Sequence, residues 1–361
     1  MKKRVLSLLS STTEIVYALG CENLLVGRSH ECDYPKSALK LPICTQPKFN
    51  VNGSSQEVDG EVKSILQNAL SLYDIDENLL KKLKPDIILT QSQCEVCAVS
   101  EKDVIAVVEN ITGISPLIIS VKPNCLEDVY NDIVTIAEVL EVKNIGMDLV
   151  YSLKMRMKRT INFINHEVSL SVATIEWIDP LMAAGNWVPE LIKMTGAKNL
   201  FGEPGKHSPW MEYDDLLKKD PEVIIIMPCG YDIQKSIIEI KMLSKKKDWQ
   251  KIRAVKNDKV FITDGNQYFN RPGPRLVESL EILVEILNFK EKINKKNKKG
   301  TFLMSPIEIE YGDFFKKVAG LFIKKKLNIF HLDVGDGEFI SRKLDVTQKL
   351  KYIKKLNKNY E

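Results

Sequence analysis

Residues 144–165 read NIGMDLVYSLKMRMKRTINFIN, and this stretch decides the fold. Its apolar residues recur at steps of three or four, namely Met147, Val150, Leu153, Met157 and Ile161. Such spacing is typical of a helix, so we predict one long helix in the middle of the chain. On either side of it, short apolar runs alternate with helical patterns. This alternation predicts a mainly parallel sheet covered by helices on both faces.

The elements predicted around the long helix fall into two sets. Before it we expect strands at 5–9, 24–27, 87–89 and 117–120, and helices at 14–19, 79–83 and 125–140. After it we expect strands at 172–175, 223–226 and 260–262, and a closing helix at 276–287. The predicted class is α/β, with two Rossmann-like lobes (1–142 and 169–289) joined by a single long bridging helix at 143–168. One large sheet with an ordinary helix in mid-chain is the alternative.

The rest of the chain differs in composition from these lobes. Residues 290–300 are rich in Lys and Asn and form a linker by composition, and residues 301–361 begin a separate segment. The chain carries a net charge of +4, but residues 291–361 hold 17 basic against 9 acidic residues, so the body is mildly acidic. Tails of this kind are usually solvated, and we expect no nucleic-acid partner.

Cysteine usage and the N-terminus bear on location. Seven cysteines, an odd number in a long chain, favour a reducing compartment over a disulfide scaffold. Lys2-Lys3-Arg4 resembles the start of a signal peptide, but the apolar run that follows stops at Ser10, and Glu14 comes soon after. No apolar run reaches the roughly 18 residues of a membrane span. We therefore expect a cytoplasmic protein, or a periplasmic one if the start of the chain as given is wrong.

Polar, aromatic and thiol side chains concentrate after the predicted strands. In open parallel sheets, ligands meet the loops beyond the carboxyl ends of the strands. If the lobes face each other, these loops line one cleft suited to a small-molecule ligand. The ligand-binding residues predicted in the first lobe are Ser11, Thr12, His30, Cys32, Cys94 and Cys97. Those predicted in the second lobe are Glu176, Trp177, Trp187, Trp210, Cys229, Tyr268, Asn270 and Arg271.

Several of these side chains have more than one interpretation. The tryptophans either pack inside the fold or stack on a large flat ligand. The pair Cys94-x-x-Cys97 consists of plain loop thiols, of half a metal site, or of a redox pair. His30 either donates hydrogen bonds or ligates a metal. An intracellular metal or haem-type carrier that uses these Cys and His residues is therefore an open alternative.

No set of nucleophile, base and orienting residue emerges from the sequence. The chain has only four histidines and neither a glycine-rich phosphate loop nor a His-Glu-x-x-His motif. We therefore predict a protein that is not an enzyme and that has no catalytic cofactor. A redox role of the cysteine pair, or activity in the C-terminal segment, is the enzymatic alternative.

Short motifs along residues 4–288 are similar to a known family. They include CDYP at 32–35, LKPD at 83–86 before a strand, and RPGPR at 271–275. With them, the chain resembles the substrate-binding proteins of iron-siderophore and cobalamin ABC importers, whose two lobes are joined by one long helix. QCEVC at 93–97, EWIDP at 176–180 and MPCG at 227–230 look like its cobalamin-binding subgroup.

The resemblance implies a fold, a ligand and a partner. The fold is periplasmic-binding-protein-like, and the ligand is a corrinoid such as cobalamin, captured in the cleft between the lobes. Trp210 falls where cobalamin binders stack an aromatic side chain on the corrin ring. Glu77 and Asp214 fall where the family docks one carboxylate of each lobe onto an ABC permease.

The C-terminal segment, residues 301–361, resembles something else. MSPI at 304–307 and HLDVGDGEF at 331–339 are similar to the N-terminal fragment of ribulose-phosphate 3-epimerase, a (β/α)8 barrel. The resemblance implies that His331 and Asp333 stand at metal-binding positions. A barrel of this kind needs roughly 200 residues or more, so we predict an inactive, truncated remnant. A functional appendage is the alternative.

Overall fold

The computed structural model describes residues 2–68, 71–92, 98–111, 115–162 and 169–287, together with the backbone of Phe302–Leu303. The predictions made for Cys94, Cys97, His331 and Asp333, and for the linker, lie outside the described residues.

The elements alternate along the chain as strands and helices. The strands are β1 Val5–Ser7, β2 Leu25–Arg28, β3 Thr45–Pro47, β4 Tyr73–Ile75, β5 Ile87–Gln91, β6 Leu117–Val121, β7 Ser171–Trp177, β8 Met182–Ala183, β9 Lys198–Asn199, β10 Val223–Ile226, β11 Val260–Ile262 and β12 Phe302–Leu303. The helices are α1 Ser10–Ala18, α2 Ser55–Gln67, α3 Glu77–Leu83, α4 Glu101–Glu109, α5 Leu126–Val139, α6 Lys143–Ile161, α7 Val188–Met194, α8 Tyr213–Lys219, α9 Ile233–Ser244, α10 Arg253–Lys256 and α11 Leu276–Leu287.

The strands form two main sheets, one on each side of α6. The first has the order β2-β1-β5-β6, and all its neighbours are parallel. The second has the order β12-β11-β10-β7-β8, with β9 also beside β7, and β8 is antiparallel. A short antiparallel ribbon, β3-β4, accompanies the first sheet. The predicted α/β class is confirmed, and the alternative of one large sheet is wrong.

Each sheet has a point where the strand order reverses. In the first sheet β1 connects outward to β2 on one side, whereas β5 leads to β6 on the other. In the second sheet β7 connects to β8 and β9, whereas β10 leads to β11 on the opposite side. The carboxyl edge between β1 and β5, and that between β7 and β10, is therefore the kind of place where α/β proteins bind ligands.

Helix α6 is held by a helix of each sheet. On one side its Lys154 pairs with Glu127 of α5 at 2.9 Å. On the other, Arg156 donates two hydrogen bonds of 2.8 Å each to the Glu281 carboxylate of α11. The largest apolar cluster includes residues of α5, α6 and α11, so one core continues from the first sheet to the second. The bridging helix is therefore packed on both lobes and does not hang free between them.

A glycine sets how closely α5 and α6 approach. A methyl group at position 146 would lie 2.4 Å from the Ala137 methyl of α5, well inside van der Waals contact. Only a hydrogen atom fits there, and the two helix backbones come together at that point.

The two lobes share a local structural motif. In each, a short helix (α3 or α8) ends at a residue in the left-handed conformation, Lys84 or Asp220, which is followed by a proline. The acid after each proline, Asp86 or Glu222, accepts a hydrogen bond from a main-chain N–H at the start of the neighbouring strand, at 2.8 and 2.9 Å respectively. The repeated Pro-acid pair thus anchors β5 beside β1 and β10 beside β7.

Candidate functional site

An aromatic pair lies at the reversal point of the second sheet. Trp177 ends β7, Tyr231 follows β10, and the two ring centroids are 5.1 Å apart at an interplanar angle of 51°. Trp177 also packs against the apolar cluster of the first lobe, which includes Leu6 and Val58. The carboxyl edge of the second sheet therefore faces the first lobe, and the crevice between the lobes has an aromatic wall.

Two partly buried carboxylates accompany this wall, one from each lobe. Glu176 accepts hydrogen bonds at Oε2 from the Ser208 hydroxyl at 3.0 Å and from the Gly185 N–H at 3.4 Å. Burial raises the pKa of Glu176 to about 7 despite these donors. Burial likewise raises the pKa of Glu31 to about 7, against the opposing effect of the Arg271 charge. Both groups therefore titrate near neutrality.

Burial disfavours the thiolate forms of Cys229 and Cys32. Burial raises the pKa of Cys229, and the charges of Glu176 and Glu31 raise it further. Burial raises the pKa of Cys32 to about 12, although the Thr13 hydroxyl lies 3.0 Å from its sulfur. Within the described residues no group of three or more His, Cys, Asp or Glu could hold a metal ion.

The other ligand-binding residues predicted in the first lobe differ in how exposed their side chains are. His30 is half-buried, its Nδ1 lies 2.8 Å from the Thr45 hydroxyl, and burial together with Arg28 lowers the pKa of its ring to about 4. Thr12 is fully buried, and its hydroxyl donates to the Leu9 carbonyl at 2.9 Å. Ser11 is buried too, and Gly273 of the second lobe packs against it. The hydroxyls of α1 therefore sit inside the fold, whereas His30 borders the crevice.

Of the ligand-binding residues predicted in the second lobe, some bond within the protein and one is exposed. Trp187 is buried, and its indole N–H donates to the Phe269 carbonyl at 2.9 Å. The Asn270 amide donates to the Gly265 carbonyl at 2.8 Å. Tyr268 is buried beside Arg275. These three side chains fix the turn after β11, whereas Trp210 is 58% exposed and free to meet a ligand.

Arg271 does not point into open space but joins the two lobes. Its guanidinium bonds Asp33 and lies 3.5 Å from Glu14, both in the first lobe. Arg275 makes two hydrogen bonds to the same Glu14 carboxylate, at 2.8 and 2.6 Å. Gln267 donates to Asp33 at 3.0 Å. We call these five residues the interlobe charge network.

A second set of interlobe bonds involves α2. The main-chain N–H and the hydroxyl of Ser55, at the start of α2, donate to the Glu239 carboxylate of α9 at 2.9 and 2.7 Å. Lys235 of α9 donates to the Val51 carbonyl at 2.6 Å. The Lys63 ammonium of α2 lies 5.6 Å from the Trp210 ring centroid. We call these three pairings the α2 contacts.

The two predicted docking carboxylates are on the surface. Glu77 is exposed in the first turn of α3, and Asp214 is exposed in the first turn of α8. These two helices begin the structural motif of helix, proline and acid that both lobes share. The structure thus places the two acids at similar positions of the two lobes.

Several residues of the cleft were not singled out by the sequence. Asp33 and Arg275 belong to quoted motifs and Glu14 and Gln267 do not, but all four pair across more than 230 positions, as Gln267 does with Asp33. A single sequence carries no signal for such a pairing. Tyr231 and Glu31 were visible as members of loops that follow strands, and that position was the one available signal.

With this geometry in place, comparison with known proteins is informative. Residues 5–267 match the family described as periplasmic binding protein. The chain belongs to this family. Its members are binding proteins and not enzymes, so the main body is a substrate-binding protein.

Named relatives agree with this assignment. A Bacillus subtilis ABC transporter substrate-binding lipoprotein, itself uncharacterized, is 26% identical over 80% of this chain and 82% of its own length. The vitamin B12-binding protein of Vibrio cholerae is 22% identical over 80% of this chain and 91% of its own length. A possible iron-binding, periplasmic solute-binding protein of Staphylococcus epidermidis has the same fold, with a TM-score of 0.61, 24% identity, and coverage of 80% and 99% of the two chains.

The family assignment corrects the expected location. A cytoplasmic protein is wrong, because the family is one of periplasmic binding proteins and the Bacillus relative is a lipoprotein. The expectation rested on the odd number of cysteines and on residues 5–19, which form β1 and α1 of the folded lobe. A segment inside the fold gives no information on export. Among the described helices, none combines the length and apolar content that a membrane span requires.

The epimerase likeness of residues 301–361 finds no support. The family match ends at residue 267, and each relative named above is a binding protein. Apart from the backbone of Phe302–Leu303, which pairs with β11, this segment lies outside the described residues.

Proposed function

We propose that this protein captures a corrinoid such as cobalamin between its lobes and delivers it to an ABC permease. The observation that carries the proposal is the aromatic wall of Trp177 and Tyr231, which stands at a reversal point of the second sheet and faces the first lobe. Flat aromatic area beside a few polar groups suits a large macrocycle. The likeness to a vitamin B12-binding protein supports the same ligand class.

Trp210 extends this aromatic surface outward. It is 58% exposed, and Lys63 of the opposite lobe lies 5.6 Å from its ring centroid, so it stands at the boundary between the lobes. An exposed tryptophan gains much apolar contact when a macrocycle covers it. We assign Trp210 to stacking on the ligand and Trp177 to the floor of the site.

Glu77 and Asp214 supply the proposed contact with the permease. Each is an exposed acid in the first turn of a short helix, and the two helices occupy corresponding places in the two lobes. Exposed acids of this kind suit basic side chains on a partner and steer its approach. Reversing both charges, Glu77→Lys with Asp214→Lys, is expected to abolish permease-dependent uptake and to leave ligand binding unchanged.

The ligand is tested by isothermal titration of the full chain with cyanocobalamin. We expect saturable binding with a stoichiometry of one. Trp210→Ala is expected to weaken it about tenfold or more. Tyr151→Ala, which removes an exposed aromatic from α6, is the matched control and should bind as the wild type does. No binding at tens of micromolar ligand would reject the corrinoid.

A further inference from the structure

The buried and partly buried carboxylates between the lobes are of two kinds. Glu14 and Asp33 are neutralised inside the protein by Arg271 and Arg275. Glu31 and Glu176 are not. Glu176 uses only Oε2 for its two accepted hydrogen bonds, and Oε1 has no partner among the described residues. Glu31 makes no side-chain hydrogen bond or ion pair within the described part of the chain.

The two open carboxylates belong to one neighbourhood although they come from different lobes. The charges of both act on the Cys229 thiol, which follows β10. Cys229 in turn acts on Tyr231, whose side chain is 3% exposed and whose hydroxyl has no hydrogen-bond partner in the described structure. A desolvated acceptor without a donor is costly, so these groups favour a ligand that brings donors of its own.

Each nearby cation already has at least one acceptor, although Nε of Arg28 and Nε of Arg271 have no partner in the described structure. Arg271 and Arg275 bind Asp33 and Glu14, and Lys235 donates to the Val51 carbonyl. The guanidinium of Arg28 donates to the carbonyl of Ser29 at 3.0 Å. Among the acidic groups described at the crevice, Glu31 and Glu176 are therefore the two that keep spare acceptor capacity. A ligand that brings carboxylates would meet like charges there.

From these observations we infer that Glu31 and Glu176, one on each lobe, determine specificity by accepting hydrogen bonds from amide N–H groups at the edge of the ligand and by repelling carboxylates. The inference rests on the proposed function and refines it. Corrinoids such as cobalamin carry primary amides around the macrocycle, whereas haem carries two propionates. The same pocket shape would accept both rings, but the two carboxylates separate them by charge.

The test compares ligands that differ by one group. Full-length protein is titrated at pH 8, where both carboxylates are ionised, with cyanocobalamin and with its separate monocarboxylate derivatives, each having one peripheral amide hydrolysed. At least one derivative should bind about tenfold or more weakly than the parent, and haemin should bind more weakly still. This comparison uses the wild-type protein and does not depend on the folding of any variant.

Variants then locate the effect. A glutamine side chain can donate to a carboxylate as well as accept from an amide, so Glu31→Gln or Glu176→Gln should remove most of the discrimination. Glu109→Gln, an exposed change at the end of α4, is the matched control and should keep it.

Each result has a distinct meaning. Equal affinity of the wild type for cyanocobalamin and all monocarboxylates overturns the inference and leaves the proposed function standing. Discrimination that survives in both glutamine variants also overturns it, as does tighter binding of haemin. Failure of cyanocobalamin to bind at all rejects the proposed function itself.

Discussion

The lobes are joined by two sets of side-chain contacts that differ in kind. The interlobe charge network is buried, with Glu14 and Arg271 each 4% exposed, and it carries several charge-assisted hydrogen bonds. The α2 contacts include one buried pair, Ser55 with Glu239, and otherwise involve half-buried or exposed groups such as Lys63 and Trp210. Breaking the interlobe charge network would leave charges without partners in the interior. Breaking the α2 contacts would return most of their groups to water.

This difference indicates which contact opens when a ligand enters. Parting Glu14 from its arginines would leave buried charges without partners, which costs several kcal/mol. Parting Ser55 from Glu239 exposes a helix N-terminus and a carboxylate that water solvates well. We therefore infer that the α2 contacts separate on opening and that the interlobe charge network holds throughout.

The largest effect is expected where the charge network is broken. Glu14→Gln removes the negative charge between two buried arginines and should lower the free energy of unfolding by about 3 kcal/mol, measured by urea denaturation. Glu127→Gln breaks the exposed pair with Lys154 and should cost no more than about 0.5 kcal/mol. Similar losses in the two variants would contradict the contrast drawn above.

A smaller and kinetic effect is expected at the α2 contacts. Glu239→Gln removes a charge at the N-terminus of α2, an interaction of about 1 kcal/mol, and should speed ligand release roughly fivefold in stopped-flow experiments. Glu57→Gln is the control, because Glu57 caps the same helix from within the first lobe. Release that is equally fast in both variants would show that helix stability, and not the contact between lobes, sets the rate.

The open carboxylates between these two contact sets predict a pH dependence of stability. Their pKa values in the folded chain, about 7, exceed the ordinary 4.5, so the folded state binds more protons than the unfolded state between these values. The stability that Glu31 and Glu176 contribute is full below about pH 4.5 and is lost as the pH rises through 7.

The pH effect is measured by difference. Replacing both residues with glutamine should remove most of the decline of the thermal midpoint that these two groups cause between pH 5 and pH 8. Subtracting the profile of the variant from that of the wild type isolates these two groups from other buried acids. A difference that rises with pH would contradict the assignment.

The smallest effect is expected at the Lys63–Trp210 pair. Lys63→Met removes an exposed cation that lies 5.6 Å from the ring, and such pairs contribute about 0.5 kcal/mol or less. Stability should hardly change, and corrinoid affinity should change far less than in Trp210→Ala. A large loss of stability would place Lys63–Trp210 with the charge network and not with the contacts that open.

The fold was readable from the sequence because its signals are local. The β10 and β11 strands and the closing helix α11 have the predicted bounds, and α6 begins at Lys143, the first residue of the predicted bridging helix. By contrast, α2, α4 and the β3-β4 ribbon were not predicted, since they combine short apolar patterns with polar caps. Helix α1 begins at Ser10 and not at Glu14, because tertiary packing buries its hydroxyls.

The sequence predicted which loops form the site but not which of their residues line it. Its loops were found because they follow strands, and a strand is a local pattern. Which loop residue lines the cleft depends on distant partners. Trp187 and Asn270 looked like binding residues but bond the turn after β11, whereas Glu31 and Tyr231 are the groups left with spare bonding capacity. A single sequence does not show which loop residues bond within the protein and which remain available to a ligand.

The close contact at Gly146 sets the distance between helices α5 and α6. Because a methyl group there would press on Ala137 at 2.4 Å, any larger residue must push α6 away from α5, and α6 carries α11 with it through Arg156 and Glu281. A substitution far from every ligand contact would therefore alter the spacing of the lobes. Position 146 is where a protein engineer would tune the width of the binding cleft and leave its chemistry untouched.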